Sequence, residues 1–228
     1  MPALQNVFHD LKTDLKIDWA THEAAKHAVE NWHYSKCLPA GKLVKVGVWE
    51  RGVFKGVVIF GRGANNNLGS PFGLTQVECC ELVRIALRDH EAQVSRVVSI
   101  AIRFLKSHSL GLRLIVSYAD PEQGHHGGIY QAGNWTYCGK SQAQQNVIHN
   151  GRVMHKRTAD ALFGTIKGMQ KSKVLWKHKY IMPIDSDMRK QVTRLAKTFP
   201  KRAASETVDT PPDQGGKGGS IPTAALHS

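Results

Sequence analysis

The clearest candidate for chemistry is Asp120, which follows an apolar run over Leu112–Tyr118. That run predicts a central strand, and open α/β sheets bind ligands at the carboxyl ends of their strands. A carboxylate at this point can position an amino group or act as a base. The alternative is structural, because an Asp before a proline also caps a turn. The sequence alone leaves both interpretations open.

A second group of polar residues follows the first predicted helix. His33 and Tyr34 precede Pro39 and are therefore expected in a loop over the sheet. A neutral imidazole can take a proton from an amine or bind a metal, although a His-Tyr pair alone is more often structural. Ser35 and Lys36 come next, and Lys36 is a weaker candidate for contact with a phosphate.

Arg84 lies inside a predicted strand, Cys79–Leu87, on the face opposite Val83 and Ile85. A charged side chain in such a place needs a partner. Either Glu81 or a phosphate or carboxylate of a ligand can supply it, and the ligand is the preferred interpretation.

Two further polar clusters are ambiguous. Asn65, Asn66 and Asn67 come shortly after Gly63 and can read a base edge or simply turn the chain. The pair His125-His126 raises the question of a metal, but its spacing matches no standard zinc site. No metal site is therefore predicted.

Positive charge is concentrated in one part of the chain. Residues 151–202 hold 14 Lys and Arg against 3 acids, in a chain of net charge +13. Such a block attracts a polyanion, because each neutralised phosphate releases counterions; a solubilising surface or another acidic partner is the alternative. Aromatic and basic residues alternate over Trp176–Tyr180, including Lys177 and Lys179. We expect this segment to grip phosphates and stack a base, with a basic element carrying buried aromatics as the alternative.

Periodicity predicts an α/β domain. The expected elements are, in chain order, a helix at Thr21–Trp32, strands at Leu43–Trp49, Phe54–Gly61 and Cys79–Leu87, an amphipathic helix from Val94 to Leu105, the central strand, a short helix at Gly128–Ala132, a strand at Trp135–Cys138 and a hairpin with its turn at Asn150-Gly151.

The domain organisation follows from composition. Residues 1–157 are expected to form the α/β domain, residues 158–202 a basic helical extension that packs on it and contacts nucleic acid, and residues 203–228 a disordered tail. No apolar run approaches the roughly 18 residues of a membrane span, and the first residues lack the apolar core of a secretory signal. The four cysteines form no CxxC pair, so reduced thiols and a cytoplasmic protein are expected.

The order of these elements resembles the GNAT acetyltransferase fold, which implies a mixed central sheet flanked by helices. The segment Gly128–Trp135 is similar to the late signature of that fold, a helix bearing a tyrosine that turns through glycine into an aromatic strand. The resemblance implies that Tyr130 is a general acid to the leaving group. A half-buried aromatic is the structural alternative.

A closer resemblance is to the phage Mom family. It rests on motifs in the expected order, namely His33–Pro39, Phe60–Asn65, Glu81–Arg84, Ser117–Asp120 and Ile129–Trp135, and it continues to about Lys201. The resemblance implies a transferase that converts adenine in DNA to N6-carbamoylmethyladenine and protects phage DNA from restriction in the cytoplasm of a bacterial host.

The resemblance and the residue patterns together give a set of site residues. The catalytic candidates are Asp120, Tyr130, His33, Tyr34 and Arg84. The candidates for contact with substrate or DNA are Ser35, Lys36, Arg62, Asn65, Ser117, Asn134, Trp176, Lys177 and Lys179. The expected partner is double-stranded DNA with the target adenine flipped into a pocket, and no membrane. The sequence predicts no oligomeric state.

One departure from the GNAT pattern bears on the group donor. GNAT enzymes that use acetyl-CoA have a glycine-containing loop whose backbone N–H groups bind the pyrophosphate. The corresponding segment, Arg88–Ser95, has no glycine and contains Asp89 and Glu91, which are expected to repel a pyrophosphate. An acyl-CoA donor is therefore in doubt. A glycyl group from an activated ester such as an aminoacyl-tRNA has the atoms that the product requires.

Two other functions remain open. A GNAT acyltransferase that acts on a protein, a tRNA or a small amine would bind acyl-CoA and leave adenine unaltered. A non-catalytic DNA-binding protein, which the basic block favours, would tolerate the loss of Asp120 or Tyr130.

Overall fold

The computed structural model of the chain describes residues 8–10, 14–63, 67–142, 144–154 and 156–201. The helices are α1 (His22–Trp32), α2 (Val94–His108), α3 (Gly128–Ala132), α4 (Lys156–Phe163) and α5 (Ser186–Thr193). The strands are β1 (Phe8–Asp10), β2 (Leu15–Trp19), β3 (Leu43–Glu50), β4 (Val53–Gly61), β5 (Cys79–Leu87), β6 (Leu114–Ala119), β7 (Thr136–Lys140), β8 (Gln144–His149), β9 (Arg152–Met154), β10 (Gln170–Leu175) and β11 (His178–Pro183). Residues 203–228, the predicted disordered tail, lie outside the described residues, as does Asn65.

Eight strands form one mixed sheet in the order β1-β2-β3-β4-β5-β6-β11-β7. Strands β1 to β4 are an antiparallel meander, and β11 is antiparallel to both β6 and β7. Strands β5 and β6 are parallel, and α2 forms the crossover that a parallel pair requires. This arrangement confirms the predicted α/β class with a mixed central sheet flanked by helices.

The chain divides into two compact units. The first consists of residues up to Gly61 together with Val83–Leu110. Its helix α1 begins where the sequence predicts, because the Thr21 side chain accepts a hydrogen bond from the N–H of Ala24. The buried alanines of α1 and Val29 pack against Val57 and Ile59 of β4. Helix α2 is the amphipathic helix that the apolar spacing predicts, since Val97, Val98, Ala101 and Leu105 are all buried.

Among the described residues, the second unit consists of Arg62–Leu82 and of residues 111–201. Its core is formed by residues of β6, β11 and α5, with Leu114, Ile181 and Met188 almost fully buried. Helix α5 has its N-cap at Asp185, whose carboxylate accepts hydrogen bonds from the N–H groups of Asp187 and Met188. Within the described residues of both units, no helix is long and apolar enough to span a bilayer.

The structure corrects the prediction of a helical extension over residues 158–202. Only α4 and α5 are helices there, because Gln170–Leu175 and His178–Pro183 are strands. Strand β11 lies inside the main sheet, where Ile181 is opposite Val116 of β6 and Thr136 of β7. Four of its six residues are buried and the other two are half-buried, as expected of a strand inside a sheet, but the surrounding lysines made the segment resemble a solvent-exposed basic helix.

The predicted hairpin forms, but in another place. Asn150 and Gly151 both have positive φ angles, 47° and 73°, as a type I′ turn requires. The hairpin strands β8 and β9 join β10 in a separate three-stranded sheet, in the order β10-β8-β9. In the main sheet, β11 takes the place that the final strand pair was expected to fill.

A glycine in β4 allows a close approach of two strands in the first unit. Gly56 has a φ of 135°, and a Cβ there would collide with the backbone carbonyl of Ala86. We expect Gly56→Ala to lower the free energy of unfolding by roughly 3 kcal/mol or more, measured by chemical denaturation. The control is Gly52→Ala in the β3–β4 turn, where φ is 76° and nothing lies within 4 Å of the added Cβ. That variant should lose only about 1 kcal/mol, and equal losses would contradict the prediction.

Candidate active site

Two hydroxyl groups meet where the parallel ladder between β5 and β6 ends. The last ladder pair is Leu82 and Ser117. The Ser117 side chain is 1% exposed, and its Oγ lies 2.8 Å from the carbonyl oxygen of Leu82 and 2.8 Å from the Tyr130 hydroxyl. A serine hydroxyl has one proton, so when Oγ donates to Leu82 the Tyr130 hydroxyl donates to Oγ. The end of the ladder therefore fixes the position of the Tyr130 phenol.

The Tyr130 ring lies in a cluster of aromatic side chains. Tyr180 stacks on it with ring centres 5.0 Å apart, and Trp135 meets it edge-on at 5.0 Å. The Tyr180 hydroxyl donates to the backbone carbonyl of His126 and accepts a hydrogen bond from Nε2 of Gln131 at 3.3 Å. With Tyr130 only 8% exposed, its surroundings are those of the buried aromatic that was the structural alternative. Its role as a general acid remains a prediction.

Asp120 uses both of its carboxylate oxygens. Oδ1 accepts a hydrogen bond from the N–H of Glu122 at 3.1 Å, which is the turn cap that the sequence left as an alternative. Oδ2 lies 3.0 Å from Nζ of Lys177. The two side chains of this ion pair are 18% and 43% exposed, so the lysine remains accessible from solvent. Asp120, a predicted catalytic residue, and Lys177, a predicted DNA contact, thus form an ion pair.

A buried histidine, the first residue of β11, follows Lys177 directly in the sequence. His178 is opposite Ala119 in the ladder with β6, and its Nδ1 lies 3.0 Å from the Tyr137 hydroxyl. Burial lowers the pKa of His178, and the nearby Lys140 and His126 lower this pKa further. Burial also raises the pKa of Tyr137. A neutral imidazole paired with a neutral phenol can hold or pass on a proton.

Sequence reasoning did not find this Tyr137–His178 pair. The two residues are 41 positions apart, and only the register of β11 between β6 and β7 brings them together. The alternation of aromatic and basic residues over Trp176–Tyr180 was the one signal near His178.

Basic side chains cover aromatic rings around the start of β11. Nζ of Lys140 lies 3.8 Å from the centre of the Trp176 ring, and Trp176 meets the His178 ring edge-on at 4.9 Å. Nζ of Lys179 lies 5.7 Å from the centre of the Phe72 ring. We call Lys140, Trp176 and Lys177 the basic-aromatic surface. Lys179 is not part of it, because side chains alternate along a strand and Lys179 lies on the face of β11 opposite His178. The basic-aromatic surface combines the cations and the ring that binding to nucleic acid requires.

In the first unit, the loop after α1 is held by hydrogen bonds within it. The His33 Nδ1 accepts the backbone N–H of Ser35 at 3.1 Å and lies 2.8 Å from its Oγ. Because Nδ1 is an acceptor, a neutral His33 carries its proton on Nε2. The ring contacts Tyr34 at 4.2 Å between centres. Nζ of Lys36 donates to the carbonyl oxygen of Asn31 at 2.7 Å, so this lysine caps α1.

Arg84 has a buried donor that lacks an acceptor. Its Nη1 donates to the carbonyl oxygen of Val83 at 2.7 Å, while its Nε is buried without a hydrogen-bond partner within the described residues. A buried unpaired donor costs free energy, and a carbonyl, carboxylate or phosphate oxygen of a ligand would satisfy it. The ligand role of Arg84 remains a prediction.

The remaining predicted contacts lie on the surface. Arg62 is exposed, with Nη1 3.2 Å from Oε1 of Gln76. Asn134 is exposed with a φ of 59°, a conformation that asparagine adopts more readily than most residues, so a turn explains its presence. Among the described side chains, no three His, Cys, Asp or Glu groups come together as ligands of a metal would.

The predicted residues fall into the two units. His33, Tyr34, Ser35, Lys36 and Arg84 belong to the first, and Arg62, Ser117, Asp120, Tyr130, Asn134, Trp176, Lys177 and Lys179 to the second. Within the second unit the structure brings Ser117 to Tyr130 and Asp120 to Lys177.

The sequence profile of the Mom protein family matches residues 14–201. This chain belongs to the Mom protein family. The matched range includes every candidate residue named above, in both units. No sequence among curated proteins matches this Mom-family chain.

Solved structures similar to the Mom-family chain include several acetyltransferases. A putative acetyltransferase from Acinetobacter baylyi ADP1 is 12% identical, with 76% of this chain and 94% of that chain covered and a TM-score of 0.43. The ribosomal-protein-S5-alanine acetyltransferase from Vibrio fischeri is 8% identical, with coverages of 79% and 97% and a TM-score of 0.45. A probable acetyltransferase of the GNAT family from Chromobacterium violaceum ATCC 12472 is also 8% identical, with coverages of 80% and 92% and a TM-score of 0.42.

The lowered pKa of His178 predicts a dependence of stability on pH. Below the ordinary pKa of 6.5, the unfolded chain protonates this histidine while the folded chain resists protonation. The wild type therefore loses stability as the pH falls through 6.5 towards the lowered pKa. We expect His178→Gln to lose the Tyr137 contact at neutral pH but to lack this acid response, so its Tm deficit should shrink in acid. His22→Gln, at an exposed histidine of α1, controls for the loss of one histidine. A constant deficit for His178→Gln would contradict the prediction.

Proposed function

We propose that this Mom-family chain is a DNA-modifying transferase that converts adenine to N6-carbamoylmethyladenine, and that the product protects phage DNA from restriction. The observation that carries the proposal is the family match, which extends over both units and through the basic residues up to Lys201. A transferase of this class needs a surface for DNA, a group that handles protons and an anchor for the donor. Residues suited to each of these tasks are present.

The basic-aromatic surface supports DNA as the substrate. Lysines contact phosphates without reading the sequence, and a tryptophan ring provides a platform on which a base can stack. Lys177 connects this surface to Asp120 through the 3.0 Å ion pair. A DNA backbone bound there would bring a flipped base close to the carboxylate and to the Ser117–Tyr130 pair.

The chemistry requires help because the N6 amino group of adenine is a weak nucleophile, its lone pair being delocalised into the ring. In our proposal Asp120 positions this amino group and takes its proton, once a DNA phosphate has replaced the carboxylate as the partner of Lys177. In this step Ser117 Oγ donates to the Tyr130 hydroxyl oxygen, and Tyr130 donates its own proton to the departing group of the donor.

The atoms of the product favour a glycyl donor over an acetyl donor. Transfer of a glycyl group from an activated ester to N6 forms the new carbon–nitrogen bond and releases the alcohol. The resulting glycyl amide is an isomer of the carbamoylmethyl amine, so a rearrangement completes the product without a further reactant. Acetyl transfer lacks the required nitrogen.

Nucleoside mass spectrometry tests the proposed function. DNA from cells that express the chain should contain an adenosine heavier by one carbamoylmethyl group, with the retention time of a synthetic standard and not of the glycyl amide. Tyr130→Phe and Asp120→Asn should reduce the product about 100-fold or more, the usual contribution of a general acid or base. Tyr118→Phe and Asp187→Asn are controls of the same chemical types. Unmodified DNA from folded, soluble wild-type protein would refute the proposal.

The DNA contact is tested by the dependence of binding on salt. If Lys140, which lies over the Trp176 ring, contacts one phosphate, Lys140→Gln should lower the slope of log K against log salt concentration by about 0.9. Trp176→Ala should weaken binding of DNA with an unpaired base by about 1–3 kcal/mol through the loss of stacking. Lys26→Gln, on α1 of the first unit, is the charge control. Fluorescence anisotropy with identical slopes and affinities for all three variants would exclude this surface.

A further inference from the structure

A buried carboxylate occupies the turn that precedes α2. Glu50, the last residue of β3, is 4% exposed. Its Oε2 accepts the backbone N–H of Glu91 at 2.8 Å, and its Oε1 accepts the N–H of Ala92 at 2.8 Å. Both oxygens of one side chain thus bind two consecutive backbone donors. All of these atoms belong to the first unit.

The acids of this turn are paired with basic residues. Oε2 of Glu91 lies 2.7 Å from Nη2 of Arg51, and Oδ2 of Asp89 lies 2.9 Å from Nε of Arg88. Repulsion of a phosphate by Glu91 and Asp89 was expected from the sequence, but an arginine compensates each of them. The anion that faces the backbone donors is Glu50.

Backbone N–H groups between a strand and the first turn of a helix form a binding site for phosphate, because they point towards the same anion and the helix dipole favours negative charge. In this chain the carboxylate of Glu50 already satisfies two of these donors. A phosphate would have to displace it and leave a buried anion without its hydrogen bonds, which is costly. The arrangement is therefore selective against phosphate.

We propose that Glu50 is an internal ligand that closes this turn to phosphate groups, and that the donor is an activated carbonyl compound that places no diphosphate here. The statement about the donor rests on the proposed function. The statement about the closed turn does not, because it concerns binding alone.

Replacement of Glu50 should open the turn. In Glu50→Ala the two N–H groups lose their acceptor and the local charge becomes more positive by one unit. We expect a lower Tm than that of the wild type, restored in part by millimolar pyrophosphate, and affinity for pyrophosphate higher by about tenfold or more. Glu30→Ala removes an exposed carboxylate of α1 and should neither lower the Tm to the same extent nor gain affinity.

Calorimetry on the full chain provides the decisive measurement. Wild-type protein should show no saturable binding of pyrophosphate or CoA. Saturable binding of CoA that pyrophosphate displaces would overturn the proposal, whether or not Glu50→Ala folds. A folded Glu50→Ala that gains no affinity for pyrophosphate would also overturn it. Nucleoside analysis is independent, so a wild type that binds no CoA and modifies no DNA would refute the proposed function and leave the closed turn intact.

Discussion

The side chain of Tyr180 is completely buried, and its contacts determine where α3 begins. In the β11–β6 ladder it is opposite Ser117, and in the β11–β7 ladder it is opposite Tyr137. Its ring lies so close to Gly127, which has a φ of 93°, that any Cβ at this position would collide with it. A glycine is therefore required at the start of α3, and the helix carries Tyr130 onto the Tyr180 ring. The hydroxyl pair at the end of the β5–β6 ladder depends on this packing.

Local signals in the sequence predicted much of this architecture. Strand β5 and helix α3 have the predicted bounds, and the β8–β9 turn is at the predicted Asn-Gly pair. Each of these elements has a strong local cause, such as an apolar run or a residue pair that prefers positive φ. The prediction was wrong for β10 and β11, where strand residues alternate with lysines and histidines. The position of β11 between β6 and β7 is determined by residues that are distant in the sequence, and no local sequence pattern indicates it.

The candidate site, like the fold, could be predicted from local sequence only in part. The sequence singled out Asp120 from its position after a strand and Arg84 from its position within one, and the GNAT resemblance singled out Tyr130. It could not show that Asp120 is paired with Lys177, or that Glu50 and not Glu91 provides the charge at the turn before α2. These contacts join residues about 40 to 60 positions apart, and they arise from tertiary packing. Residue type and local spacing therefore identified the groups, while their charge environment became visible only in the fold.

The ion pair between Lys177 and Asp120 links two events that are usually treated separately. The 3.0 Å contact already gives Nζ of Lys177 and Oδ2 of Asp120 a partner of opposite charge. Because coupling between two binding sites is reciprocal, a phosphate that binds Lys177 favours binding of a substrate group to Asp120, and the reverse also holds. In the proposed function, a chain without nucleic acid keeps Asp120 paired with Lys177, and an activated ester is thereby spared from reaction with stray amines. Lys177 would then release Asp120 only when the phosphates of a polyanion bind the lysine.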